Sequence, residues 1–250
     1  MVARNPVIAQ CTPIYAPRRS SKEQLPNGYT LSLCEGAFPF STDSMVLAHF
    51  ARLPKNASVL DLGSGCGTLG LLLCSQDPVC RVTGIELTER AHLAAMENIR
   101  TNTLEARMNS ICADLRSVSE RFSPGSFSCC ISIPPYFSAG AASQTLPLAR
   151  QELSCTSEDL FRAAAWALKF GGDFYLVHKP ERLAELIATA ARFSLEAKRL
   201  CLVRHKTDTP VNLILLQFRK GGKPGLSWEE LTLHNSDGTP TDAYRKIYHI

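Results

Sequence analysis

Asp61 ends the apolar run Ser58-Val59-Leu60-Asp61 and is followed by glycines at 63, 65 and 67. A strand running into such a turn lets the backbone bend sharply, approach a ligand closely and pack the next helix against the strand. The amides at that helix's start then face the ligand. Glu86 closes the next apolar run, Arg81-Val-Thr-Gly-Ile-Glu86, about twenty residues on, the spacing at which a carboxylate grips both hydroxyls of a ribose. Asp114 follows a third run, Ser110-Ile-Cys-Ala113, where it could accept from an adenine amine. Further along, Ile133-Pro134-Pro135-Tyr136 makes a rigid corner. Its carbonyls can accept from an exocyclic amine while the tyrosine stacks on the ring that bears it.

Three acidic side chains along one sheet edge suit a nucleoside without phosphate, and a zwitterionic, cationic one best. S-adenosylmethionine is therefore the favoured cofactor. Asp61, Gly63, Ser64, Gly65, Gly67, Glu86, Leu87, Asp114 and Leu115 are the candidate contacts. A dinucleotide is the rival, because Gly65-x-Gly67-x-x-Gly70 also fits its fingerprint; Asp61 just ahead of the turn would crowd a pyrophosphate. A purely structural glycine turn is the third reading. At the corner the candidate catalytic residues are Ile133, Pro134, Pro135 and Tyr136, with Phe137 and Arg150 as substrate contacts.

These residues need an alternating fold to position them. Strands are expected at 58–61, 81–86, 110–113, 128–132, 173–178, 199–203 and 211–217. Helices are expected from Thr68, over Thr88–Asn102 with Leu93, Met96 and Ile99 inward, from the capping box Thr156-Ser-Glu-Asp159 to Leu168 and the glycines at 171–172, and from Pro180 with Leu183, Leu186, Ile187 and Ala190 inward. The alternation implies a mostly parallel sheet covered on both faces, with an antiparallel edge from the last two strands. Residues 1–30 read as an irregular arm or lead-in and 31–250 as one domain. With 250 residues, 45% of them hydrophobic, the chain can bury a substantial core.

No signal-like or membrane-spanning run is present, so a cytoplasmic protein is expected. The ten cysteines form no C-x-x-C pair and have no histidine at metal spacing. Free thiols and no metal are expected. The net charge of +4 permits a nucleic-acid partner. Arg18, Arg19, Lys22, Lys198, Arg199, Arg204, Lys206, Arg219, Lys220 and Lys223 are candidates for a phosphate-binding rim.

The order Asp-x-Gly-x-Gly-x-Gly, acidic strand end, Pro-Pro-Tyr resembles the amino methyltransferases with an Asn-Pro-Pro-Tyr signature. More narrowly, the chain resembles the bacterial methyltransferases that modify the exocyclic amine of adenosine 37 in valine tRNA. The resemblance runs from about Gly36 to Lys246 and includes Phe38-Pro-Phe-Ser-Thr-Asp43, Ala149-Arg150-Gln151-Glu152, Lys169–Leu183 and Lys220-Gly-Gly-Lys-Pro-Gly225. It implies a Rossmann-like class I S-adenosylmethionine-dependent methyltransferase fold with a seven-strand mixed sheet, and tRNA as partner. It also implies that the Asn side chain and the carbonyl of Pro134 together grip the target amine.

Here Ile133 stands in place of that Asn, and Gln151 where relatives often have His. Ile accepts no hydrogen bond. Three readings of the corner follow: an active adenine-amine methyltransferase, with Ser132 or water substituting for the Asn; a weak or inactive relative that binds cofactor and RNA; or a methyltransferase with another amino acceptor. The late segments argue against a protein-glutamine substrate.

Overall fold

The computed structural model describes residues 21–26, 28–36, 40–134 and 155–250. An antiparallel hairpin, β1 (Ser21–Gln24) and β2 (Thr30–Leu33), precedes helix α1 (Thr42–Phe50). There follow β3 (Ser58–Leu62), α2 (Thr68–Gln76), β4 (Arg81–Glu86), α3 (Glu89–Thr101), β5 (Met108–Cys112), α4 (Val118–Arg121) and β6 (Phe127–Ser132). Beyond the undescribed stretch come α5 (Ser157–Ala167), β7 (Leu168–His178), α6 (Leu183–Arg192), β8 (Leu195–Lys206), β9 (Val211–Lys220), β10 (Ser227–His234) and α7 (Asp242–Tyr248).

One eight-stranded sheet has the order β10-β8-β9-β7-β6-β3-β4-β5. β9 runs antiparallel to both β7 and β8, and every other pairing is parallel. Side chains from α1, α2, α3 and α7 fill a core on one face, and those of α4, α5 and α6 fill a second core on the other. The chain moves outward from β3 through β4 to β5, then crosses back to place β6 on β3's other side. The ends of β3 and β6 therefore flank a topological switch point, where open α/β sheets bind ligands.

The structure adds helices α1, α4 and α7, which the sequence reading did not include, and differs from it in four further details. The eighth strand, β10, was not expected: it is a sheet edge whose residues are mostly exposed, with Leu233 its buried anchor, so its apolar periodicity is faint. The last strand pair is antiparallel as expected, but β10 covers its edge. On α3 the inward stripe is Ala91, Ala95, Asn98 and Ile99, and Leu93 is 58% exposed. An i, i+4 spacing fixes the buried face better than the i, i+3, i+6 series that included Leu93. The Thr156 capping box is formed with Asp159 as expected, yet α5 stops at Ala167. Leu168 already pairs with Phe127, so β7 starts ahead of the glycines rather than after them. Finally, β1 lies inside the stretch read as an irregular lead-in.

Candidate active site

Burial comes first at β3. Asp61 is 1% exposed, and neither carboxylate oxygen has a hydrogen-bond partner among the described residues. Ser64 Oγ, in the turn just beyond, is likewise buried and unpartnered. Burial, with the Glu86 charge nearby, pushes the Asp61 carboxyl up to about 8. Native folds rarely leave such groups unsatisfied without a ligand to meet them.

Backbone geometry around them is set by glycine. Gly63, Gly65 and Gly67 have φ of 76°, 53° and 86°, left-handed values that favour glycine. A side chain added at Gly63 or Gly65 would meet only open space, so the turn presents bare backbone outward. Gly84 of β4, directly across from Asp61, is required for another reason. A β-carbon there would lie 2.5 Å from Ser64 Oγ. Sequence reasoning missed Gly84, because a lone glycine inside a strand signals only close packing.

Glu86, buried at the end of β4, holds the turn in place. Its two carboxylate oxygens accept the N–H groups of Gly65 and Thr88, each at 2.8 Å. A carboxylate has about four lone-pair positions, so two remain for hydroxyl donors. Asp114 stands two residues past β5 and is more fully engaged. It accepts from the backbone N–H of Arg116 at 2.8 Å and from the Arg116 guanidinium, and the hydrogen bonding by Arg116 holds its carboxyl below the usual range. Leu87 is 42% exposed beside Glu86, while Leu115 packs partly into the second core.

The Ile133-Pro134 corner follows β6. Asp61 is register-paired with Ile131, so Ile133 and Pro134 leave the sheet beside the glycine turn. Ile133 packs partly against the first core, and Pro134 is partly exposed. Ser132 is 1% exposed and donates its hydroxyl to the Leu62 carbonyl at 2.7 Å, which turns it into the sheet. His178 ends β7, the next strand over. Its Nδ1 accepts the Lys179 N–H at 2.8 Å, and burial, with Arg182 near, lowers its pKa to about 4, keeping the ring neutral. Pro135, Tyr136, Phe137, Arg150 and Gln151 lie outside the described residues.

The basic residues sort unevenly. Arg199 pairs with Glu229 at 2.7 Å and lies 4.1 Å over the Phe50 ring, and Arg219 pairs with Asp173 at 2.8 Å. Lys220 and Lys198 donate to the carbonyls of Leu168 and Lys223. These groups serve the sheet. No group of three or more metal-ligating side chains occurs among the described residues, and no described helix is long and apolar enough to cross a membrane.

The chain as a whole matches known proteins. Residues 40–192 match the family model described as the methyltransferase small domain. The chain belongs to the methyltransferase small domain family. One relative of this methyltransferase, from Photobacterium profundum, is named tRNA1(Val) (adenine(37)-N6)-methyltransferase; it is 28% identical over 78% of this chain and 84% of its own. A similarly named relative from Proteus mirabilis is 29% identical over 82% of this chain and 83% of its own. A crystal structure of a predicted O-methyltransferase from Agrobacterium tumefaciens superposes with a TM-score of 0.70, covering 83% of this chain and 96% of that one at 21% identity. The fold is that of the class I S-adenosylmethionine-dependent methyltransferases, with eight strands where seven were expected. S-adenosylmethionine is the cofactor that goes with this family and fold. The orphaned Asp61 carboxylate, the open glycine turn and the anchored Glu86 fit it.

Proposed function

We propose that this methyltransferase acts on the exocyclic amine of adenine in RNA, with a tRNA anticodon-loop adenosine as substrate, in the cytoplasm. The observation that carries this is the pairing of an unsatisfied buried Asp61 with the Ile133-Pro134 corner across one switch point. The names of the relatives supply the substrate class. The catalytic unit would begin at the β1–β2 hairpin rather than at residue 31, since β1 pairs with β2 and Leu25 is buried in the first core.

Bound S-adenosylmethionine supplies an electrophilic methyl group. Asp61 would accept from the donor's ammonium group, and Glu86 would accept from the ribose hydroxyls. Gly63, Ser64, Gly65 and Gly67 offer the backbone and hydroxyl surface between them, with Leu87 and Leu115 as apolar contacts. Asp114 can turn to the adenine only by relinquishing Arg116. On the acceptor side the Pro134 carbonyl would accept from the target amine; from the sequence alone we assign ring stacking to Tyr136, the corner to Pro135 and substrate contact to Phe137 and Arg150. An unpaired loop base needs little energy to splay out. Acceptors aimed at the amine's protons would stabilise the positive charge that methylation builds on nitrogen.

Methyl transfer from radiolabelled S-adenosylmethionine to total tRNA, with nucleoside analysis, tests the reading. N6-methyladenosine is expected. Label in another nucleoside, or in protein, would overturn it. A weak or inactive relative is the second reading, favoured by Ile133: label would then stay at background while S-adenosylhomocysteine still binds.

A further inference from the structure

The glycine turn is tied to the N-terminal hairpin in two places. Asn98, fully buried on α3, donates from Nδ2 to the carbonyls of Ser32 in β2 and Cys66 in the turn, both at 2.9 Å. Its Oδ1 accepts the Ser32 N–H at 2.7 Å. Beside this clamp, Cys66 donates its S–H to the sulfur of Cys34, 3.7 Å away. Cys34 is the residue after β2 and is partly exposed, whereas Cys66 is buried.

The hydrogen bond from Cys66, aided by the positive charge of Arg90, brings the Cys34 thiol down to about 7. Arg90 is held near by its ion pair with Glu35 at 2.8 Å. The buried Cys66 thiol, as donor, is pushed up. An accessible thiol that ionises readily, backed by a buried second thiol, is the arrangement of a peroxide-sensitive pair. Cys74 and Cys80 also interact with one another, but both are buried.

We propose that Cys34 and Cys66 form a reversible disulfide that resets the glycine turn, with a peroxide as oxidant. The Cys34 thiolate attacks one peroxide oxygen, forming an S–O bond and breaking the O–O bond; the departing hydroxide takes a proton and leaves as water. The Cys66 sulfur, shedding its proton, then attacks the Cys34 sulfur. The S–S bond forms, the S–O bond breaks, and a second water carries away the hydroxyl. Two thiols lose two electrons and the peroxide gains them. Exchange with a cellular dithiol reverses the bond.

A disulfide holds its sulfurs at about 2.05 Å, so the pair must close from 3.7 Å. Cys66 lies between Gly65 and Gly67, and the movement falls on the bonds that shape the turn, Gly65 N–H to Glu86 and Gly67 N–H to the Ser64 carbonyl. Resting on the donor-site assignment proposed above, the oxidised form binds donor more weakly.

The test treats the full chain with hydrogen peroxide, blocks remaining thiols under denaturing conditions and maps peptides by mass. A linked Cys34–Cys66 peptide is expected, lost after dithiothreitol, together with altered amide exchange across residues 63–67. Calorimetry with S-adenosylhomocysteine should show affinity falling about tenfold on oxidation, with no fall in peroxide-treated Cys34→Ser. Cys34 recovered as sulfinic acid or still alkylatable, without the linked peptide, overturns the proposal, as does a linked peptide with unchanged exchange across the turn. A reduced chain that fails to bind S-adenosylhomocysteine points instead to the donor-site assignment, and the linked peptide and exchange still decide the disulfide.

Discussion

Asp61 and Ile133 stand near the ends of adjacent strands and are opposites in what they can accept. Asp61 is a buried acceptor with its carboxyl raised to about 8. Unfolding returns that carboxyl to its ordinary value near 4. Between those two pH values the folded, unliganded chain holds more protons than the unfolded one, so its stability falls as pH rises from about 4 to about 8. Asp61→Asn should remove this fall, which urea titrations across the range will show. Donor binding through an ammonium favours the ionised carboxylate, so at pH 7 S-adenosylhomocysteine should bind with proton release. Calorimetry in buffers of differing ionisation enthalpy will measure it, and Asp61→Asn should abolish the release. Ile133 poses the converse case. With Ser132 buried against Leu62 and Ile133 unable to accept, the proposed site would be one acceptor short beside Pro134. Ile133→Asn should therefore raise the methylation rate on adenosine in RNA by at least about tenfold with little change in donor affinity. A missing acceptor of this kind is worth roughly 100-fold or more where charge builds in the transition state. Unchanged or lower turnover in a folded Asn variant would mean that the corner is rebuilt around Ile for another acceptor or for none.

At the level of elements, α3 does more than cover the sheet. Its Asn98 bridges β2 and the glycine turn with three hydrogen bonds. Asn98→Ala should strand buried partners at a cost of about 1–3 kcal/mol for each group left unsatisfied. Thermal unfolding should show the loss, and amide exchange should show β2 and the turn loosening together; a loss confined to α3 would argue against the clamp. This clamp also shows where sequence reading runs out. The glycine turn was legible because strand, glycines and acidic strand ends are spaced by local backbone needs. Asn98 was not, because a polar residue on an amphipathic helix reads as solvated until its long-range partner Ser32 is known. Leu93 failed for the converse reason: an apolar residue carries no mark of facing solvent. β10 and α7 were silent because Leu233 and Ile247 are their only fully buried hydrophobic anchors, too few to set a period. Glu86 and Asp114 were both found as acidic strand ends, yet only the structure distinguishes the one bound by backbone from the one bound by Arg116.

Across the whole molecule, strand direction divides the positive charge. β8 runs parallel to β7 because both are antiparallel to β9. Arg204 and Lys206 near the end of β8 therefore lie at the same edge of the sheet as the glycine turn and the Ile133 corner. Arg219 and Lys220, beside the start of β7, lie at the opposite edge. On the proposed reading an RNA loop delivered to the corner would meet the first group and not the second. Within that group it would meet Lys206 more than Arg204, whose guanidinium is held by the Thr209 carbonyl at 2.9 Å and by Glu230 at 3.8 Å. Removing one cation from a phosphate lowers the slope of log affinity against log salt by roughly 0.7–0.9. Lys206→Gln should show a reduction of that size in tRNA binding, with thermal stability little changed. Arg219→Gln should do the reverse: it leaves the Asp173 carboxylate, 12% exposed, without its guanidinium and so lowers the unfolding temperature while the salt slope stays as it was. Titrations of tRNA at several salt concentrations, run beside thermal melts of the same variants, separate the two roles. An equal fall in slope for both variants would place the RNA along both edges and break the link between strand direction and substrate approach.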